Sequence, residues 1–432
     1  MRLDFAFGKT GLILDFPAGF DYITLEARTA TPLADSGAAL GRALDSPIGC
    51  PPLKALARGA RSVAISVCDI TRPAPNRLTL PPLLERLASI GVSTDNTRIL
   101  IATGLHRLAT RAEINEILGP EIASRYPVFN HNARNLAEHR FLGTTSTGTP
   151  VYIDERFVSA DLRISLGFIE PHLMLGFSGG RKLVAPGLAA QETIKVLHSP
   201  KFMREPLAIE GSIEQNPLHR ELLEISKMAG HSFILDVALA PGVQDGARRI
   251  AGVFAGDPVA AHRAGVEFVS KTLLDRLDGP VDAVVTSAAG YPLDLTFYQA
   301  IKGITAAQHI LKPGGRILVV AECQEGAGAA EFGEMLTSFE SYDAFLKAIA
   351  GRDVVVDQWQ LEKLALAGTR HEILFYVPGL GAQYRKHFGG NMFASAGEAV
   401  AGLLAGLAPG AKVALIPEGP YVLARVVESR AA

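Results

Sequence analysis

Cysteine is scarce in this chain. Only Cys50, Cys68 and Cys323 occur in 432 residues, and no two form a Cys-x-x-Cys pair. That spacing excludes a disulfide framework and a thiolate zinc site. It fits a reducing compartment, so the expected location is cytoplasmic. An excess of one charge is missing as well. The formal net charge is −2, and Lys/Arg runs do not exceed pairs such as Arg248-Arg249. Nucleic-acid binders normally carry a basic face or block, so no nucleic-acid partner is expected. No apolar run reaches the roughly eighteen residues of a membrane span, so no membrane partner is expected either. Met1–Lys9 lacks the apolar core of a signal peptide. The common nucleotide fingerprints are absent too. The glycines before Lys182 do not form Gly-x-x-x-x-Gly-Lys-Ser/Thr, and no Gly-x-Gly-x-x-Gly opens a helix after a strand. No histidine and acid cluster has the spacing of a zinc protease.

What is present is an alternation of short β-rich runs and helical runs in a chain that is 48% hydrophobic. Strands are predicted over residues 62–67, 98–102, 127–130, 161–166 and 233–239, with helices over 80–90, 111–118, 192–197 and 258–274. A second series begins near Val281, with strands over 283–286, 316–320, 373–377 and 413–416. Its helices cover 297–311, 339–349, 360–367 and 396–404. Lys312-Pro-Gly-Gly315 reads as the end of the first of these helices. This alternation predicts two α/β domains with mainly parallel sheets. Asp278-Gly-Pro-Val281 marks the boundary. Residues 1–277, joined by 411–432, form the expected N-terminal domain, and residues 278–410 form the C-terminal one. Ligands of such sheets bind beyond the carboxyl ends of strands, so the active site is expected in the cleft between the domains.

The unusual residues fall at those strand ends. Gly167–Gly187 holds His172 and Lys182 around the turn Ser178-Gly179-Gly180, and His198 follows at a helix end. Imidazole is a metal ligand or proton carrier, and lysine can attach a cofactor covalently. Glycine-rich turns bring backbone N–H groups to an anion. Asp69-Ile-Thr71-Arg72 follows one strand and Thr103-Gly-Leu-His106 the next. Arg72 offers a planar fork for a carboxylate, although an Asp69–Arg72 ion pair in a helix-entry loop is an equal alternative. His106 and His172 on neighbouring strand ends suit a two-base device, which takes a proton on one face of a substrate and gives one on the other. His198 at a helix C-terminus also has an ordinary reading, through the helix dipole. Tyr298, Gln299 and Lys302 cluster on one predicted helix after Gly290-Tyr-Pro-Leu-Asp294.

Taken in order, these motifs resemble the nickel-pincer lactate racemase family. The match runs through Asp69-Ile-Thr-Arg-Pro73, Thr103-Gly-Leu-His-Arg107, Glu170-Pro-His172 and Gly176-Phe-Ser-Gly-Gly-Arg-Lys182. It continues through His198 to Gly290–Gln299 and Lys302. The resemblance implies a nickel-pincer nucleotide, that is, pyridinium-3-thioamide-5-thiocarboxylic acid mononucleotide with Ni. Lys182 would be its covalent attachment point and His198 its protein ligand to nickel. Asp69, Thr71, Ser178, Gly179, Gly180 and Arg181 are the expected cofactor contacts. By the same resemblance, His106 and His172 form the acid/base pair, while a hydride leaves C2 of a 2-hydroxy acid and returns to its other face. Arg72 and Lys302 would hold the carboxylate, with Tyr298, Gln299 and Trp359 lining the substrate pocket. The implied activity is racemisation or epimerisation of lactate or a larger 2-hydroxy acid, and the implied partners are the pincer-cofactor biosynthesis enzymes. Leu173-Met174-Leu175 departs from the bulky aromatics and small residue often found there, which bears on the substrate more than on the chemistry. Two other functions compete: a nicotinamide-dependent 2-hydroxyacid oxidoreductase, which the missing glycine fingerprint disfavours, and a non-enzymatic nickel-cofactor carrier. The carrier would need Lys182 and His198 but not His106, His172 and Arg72 together.

Overall fold

The computed structural model describes residues 1–26, 28, 30–244, 247–384 and 391–426. They form two compact units. One comprises Thr29–His198 and Glu205–Thr272; the other comprises Met1–Arg28, Ser199–Arg204 and Leu273–Ala432.

The first unit is built on a six-stranded sheet. Its order is Ala247–Gly256, Phe233–Gln244, Leu162–Phe168, Val63–Cys68, Thr97–Ala102, Val128–Asn130. All neighbours are parallel except the first pair. Every residue of Val63–Cys68 is buried. A parallel strand covered on both faces must be apolar throughout, which is why Val-Ala-Ile-Ser-Val-Cys shows no alternation. The antiparallel strand Ala247–Gly256 was absent from the predicted elements. An antiparallel neighbour such as this needs no crossover helix, so it escapes a search for strand–helix alternation.

The second unit carries a five-stranded, all-parallel sheet in the order Glu372–Tyr376, Leu311–Val320, Val281–Ser287, Lys412–Ile416, Asp21–Thr24. Both chain ends therefore belong here, which differs from the expected division. Lys412–Ile416 pairs with Val281–Ser287 on one side and with Asp21–Thr24 on the other. Leu423–Val426 pairs with Leu274–Leu277. Main-chain ladders thus draw residues 411–426 and the N-terminal segment away from the unit to which sequence assigned them. Lys312-Pro-Gly-Gly315 is also not a helix end. The helix Phe297–Ala307 stops earlier, and those residues lie in the strand Leu311–Val320. Among the described residues, no helix is long and apolar enough to cross a membrane.

Candidate active site

Three adjacent parallel strands of the first unit, Leu162–Phe168, Val63–Cys68 and Thr97–Ala102, end side by side. The loops that follow carry His172, Asp69 with Arg72, and His106, so sheet order brings these motifs to one edge.

Asp69 is 5% exposed, and its Oδ2 lies 2.7 Å from His106 Nδ1. Its Oδ1 accepts from the Thr71 hydroxyl at 2.6 Å and the Thr71 N–H at 3.2 Å. Burial acts to raise the Asp69 pKa. The His106 hydrogen bond and charge, Arg72 and Thr71 outweigh it, so the carboxyl sits below its ordinary value. A carboxylate facing Nδ1 keeps the proton there and leaves Nε2 with its lone pair. The His106 side chain is 46% exposed, so the ring is open to a reactant. Arg72 donates to the Thr71 carbonyl at 3.2 Å and hydroxyl at 3.0 Å. It is braced by Thr71, and its link to Asp69 is through charge alone.

His172 sits in a two-residue antiparallel pairing, opposite Gly176. Its Nδ1 faces the N–H groups of Met174 at 3.5 Å and Leu175 at 3.3 Å. Backbone N–H can only donate, so in neutral His172 Nδ1 accepts and the proton lies on Nε2. Ser178 closes this hairpin. Its hydroxyl donates to the Phe168 carbonyl at 2.8 Å and accepts from the Glu170 N–H at 2.9 Å, while its own N–H donates to the Glu170 carbonyl at 2.9 Å.

Lys182 lies in the short 3-10 turn Gly180–Leu183. Asp236, fully buried in the neighbouring strand, accepts from the Gly180 N–H at 2.7 Å. A Cβ on Gly179, at φ +83°, would meet Asp236 Oδ2 at 2.5 Å. Glycine is therefore required by the carboxylate as much as by the backbone. Burial pushes the Asp236 carboxyl up to about 7, against the pull of Gly180 and Arg181. Arg181 is fully buried, and its guanidinium donates to the carbonyls of Leu175 at 3.0 Å and Phe177 at 3.0 Å; His262 Nε2 lies 2.7 Å from it and 2.8 Å from the Ser178 carbonyl.

Asp69, Thr71, Ser178, Gly180 and Arg181 turn their polar groups to the loops themselves. Their contacts favour support of His106, His172 and Lys182 over direct phosphate binding, because a donor held by a buried carbonyl or carboxylate must break that bond to reach an anion. Asp236 went unnoticed in the sequence. Its signal was a lone acid within the apolar run Phe233-Ile-Leu-Asp-Val-Ala-Leu239.

His198 is 7% exposed and caps the helix Gln191–Leu197. Burial lowers its pKa to about 4, with Lys182's charge adding to the effect and the Ile194 contact opposing it. Its Nδ1 is 2.8 Å from the Ile194 carbonyl. A carbonyl only accepts, so Nδ1 carries the proton, and the neutral ring keeps a lone pair at Nε2. That is the arrangement of a metal-ligating histidine with its second nitrogen anchored to backbone. Among the described residues, no group of three or more His, Cys, Asp or Glu could hold a metal ion. A nickel ion held mainly by its own organic cofactor needs one protein ligand, and a neutral, anchored His198 fits that requirement.

In the second unit, Asp294 is buried and accepts from the Gly8 N–H at 2.6 Å and the Glu322 N–H at 3.1 Å, which fixes the turn before the helix Phe297–Ala307. Tyr298, Gln299 and Lys302 lie on that helix. Trp359 donates through Nε1 to Tyr298 Oη at 3.1 Å, and the Gln360 amide donates to the Tyr298 carbonyl at 2.9 Å. Trp359 and Tyr298 are thus joined, although sequence offered little to connect them.

A two-domain, mainly parallel α/β protein with paired strand-end histidines, a lysine turn and one anchored imidazole belongs to a narrow class. Residues 7–211 match the model of the lactate racemase N-terminal domain, and residues 278–424 match that of the C-terminal domain. The chain belongs to the lactate racemase family. It is 36% identical over 387 residues to the lactate racemase of Thermoanaerobacterium thermosaccharolyticum, covering 89% of each. It is 34% identical to that of Lactiplantibacillus plantarum over 388 residues, 89% of this chain and 90% of the relative. The solved lactate racemase apoprotein from T. thermosaccharolyticum superposes with a TM-score of 0.90 at 33% identity, covering 98% of this chain and 100% of that one. A Thermotoga maritima protein shares the fold, with a TM-score of 0.67 at 17% identity.

Proposed function

We propose that this protein is a 2-hydroxyacid racemase or epimerase that works with a nickel-pincer nucleotide tethered at Lys182. The observation that carries the reading is a pair of histidines at one edge of the sheet, on strand ends separated by Val63–Cys68, one of them held by a buried carboxylate: Asp69 faces His106 Nδ1 at 2.7 Å. Membership of the lactate racemase family supports it.

When bound, the cofactor supplies a site that accepts a hydride from C2 of the substrate and returns it. The chain's own residues handle protons and position. His106 Nε2 takes the hydroxyl proton, and the Asp69 carboxylate stabilises the resulting imidazolium. His172 stands on the next strand but one and, with its proton on Nε2, offers a donor to the substrate oxygen for the opposite hand. Arg72 and Lys302 are the carboxylate-binding cations, and Tyr298, Gln299 and Trp359 are the contacts to the substrate's side chain. His198 is the nickel ligand. The substrate is lactate or a larger 2-hydroxy acid.

The test is racemisation of a panel of enantiopure 2-hydroxy acids in D2O by protein produced with the pincer biosynthesis enzymes. Chiral chromatography is expected to show both hands, with protium retained at C2, because a returning hydride does not exchange with solvent. Deuterium at C2 would defeat the hydride route. Net NADH formation without nickel would favour the nicotinamide oxidoreductase, and cofactor retention with no turnover on any acid would favour the carrier.

A further inference from the structure

On the first unit, behind the lysine turn, an open cleft is lined by Glu214, His219, Arg220, Val259, His262 and Arg263 among others. The two helices that meet there are Pro217–Met228 and Ala260–Leu273. Each presents its first turns to the cleft: His219 and Arg220 from one, His262 and Arg263 from the other. Neither helix has an acid in its first turn. The positive ends of two helix dipoles and two exposed guanidiniums therefore face one space. Asn216 caps the first helix through the N–H groups of Leu218 and His219, and Asp257 caps the second through Val259 and Ala260.

A buried side chain in the wall points separately to a ligand. His219 is 8% exposed, and its Nδ1 has no hydrogen-bond partner. Its ring stacks on His262 at 6.2 Å and 23°. Burial, then the charges of Arg181, Arg263 and Arg220, hold the His219 pKa down to about 3. Glu214 is the one acid in the lining, and it is exposed.

We infer that this cleft binds a phosphate group, free or carried on a small organic molecule, between Arg220 and Arg263. Two guanidiniums from separate helices can each offer a fork of donors to one phosphate group. The site is distinct from the lysine turn but touches it from behind. His262 Nε2 lies 2.7 Å from Arg181, which holds the Leu175 and Phe177 carbonyls beside His172. The inference is independent of the proposed activity.

The experiment titrates the full chain with inorganic phosphate, and in a second arm with glycerol phosphate, by isothermal titration calorimetry at constant ionic strength. Saturable binding is expected, weakened at least about tenfold in Arg220→Ala/Arg263→Ala and tightened in Glu214→Gln, since a charge a few ångströms from the anion acts directly on it. Both arginines are exposed, so the fold of the double variant is checked by its unchanged melting in phosphate-free buffer. Tighter binding of the ester than of inorganic phosphate would identify a phosphorylated organic ligand, and the reverse would identify the free ion. No saturable binding to the parent protein, or equal affinity in the double variant, overturns the proposal.

Discussion

His106 Nδ1 and Asp69 Oδ2 lie 2.7 Å apart, and they come from the ends of neighbouring strands in one sheet. The carboxylate is buried while the imidazole is half exposed, so the acid can act only through the ring it holds. Asp69→Asn removes the charge and the tautomer control at once. A fall in kcat of about 10²–10⁴-fold, with KM little changed, is expected in a chiral racemisation assay. An unchanged kcat would show that His106 needs no such partner.

The same pair sets a pH dependence of stability. The folded pKa of Asp69 is lowered, so its contribution is present above the ordinary carboxylate range and is lost as pH falls through the lowered folded value. The unfolding midpoint of the parent protein is expected to exceed that of Asp69→Asn at neutral pH, and the gap should close in acid. A gap that widens in acid would reverse the sign.

Ser178→Ala leaves the Glu170 N–H without its acceptor and the Phe168 carbonyl without its donor. A loss of about 1–3 kcal/mol in urea unfolding is expected, with a lower kcat because the hairpin under His172 loosens. Retained stability would mean that another group takes over both bonds.

Gly179→Ala adds a Cβ 2.5 Å from Asp236 Oδ2 at φ +83°. Backbone strain alone costs about 1–2 kcal/mol. Removing the carboxylate in Gly179→Ala/Asp236→Ala is expected to relieve part of the total, so the double variant should be less destabilised than the sum of the singles. Strict additivity in the double-mutant cycle would place the two residues out of contact.

Lys182→Ala and His198→Ala should separate tether from ligand. After co-production with the biosynthesis enzymes, intact mass is expected to show no adduct for the lysine variant. The histidine variant should keep the adduct but lose nickel, measured by metal analysis. Full nickel retention without His198 would remove it as the ligand.

The α/β class, two domains, most strands of the two central sheets and the ordered motifs were legible in the sequence, because buried parallel strands read as apolar runs and glycine turns punctuate them. The ends of the chain were not. Asp21–Thr24 is too short and too polar to stand out, and Lys412–Ile416 fits any parallel sheet by pattern alone. Its assignment depends on which edge accepts it. Lys312-Pro-Gly-Gly315 carries turn residues and lies in a register irregularity of the strand Leu311–Val320, between the pairs Val281↔Leu311 and Ala283↔Arg316, where a bulge accommodates them.

By itself the sequence determined which reactive side chains exist and that they fall after strands: His106, His172, Lys182, His198 and Arg72. Only the tertiary structure decided their partners. The Asp69 carboxylate lies against His106; the Ser178 hydroxyl and the Arg181 guanidinium bond within the hairpin and turn, and Asp236 enters as the acid beside Gly179. A linear motif states residue type and order, whereas a hydrogen bond depends on direction and distance across strands far apart in sequence. The adjacency of Val63–Cys68 with Thr97–Ala102 and Leu162–Phe168 supplies that geometry.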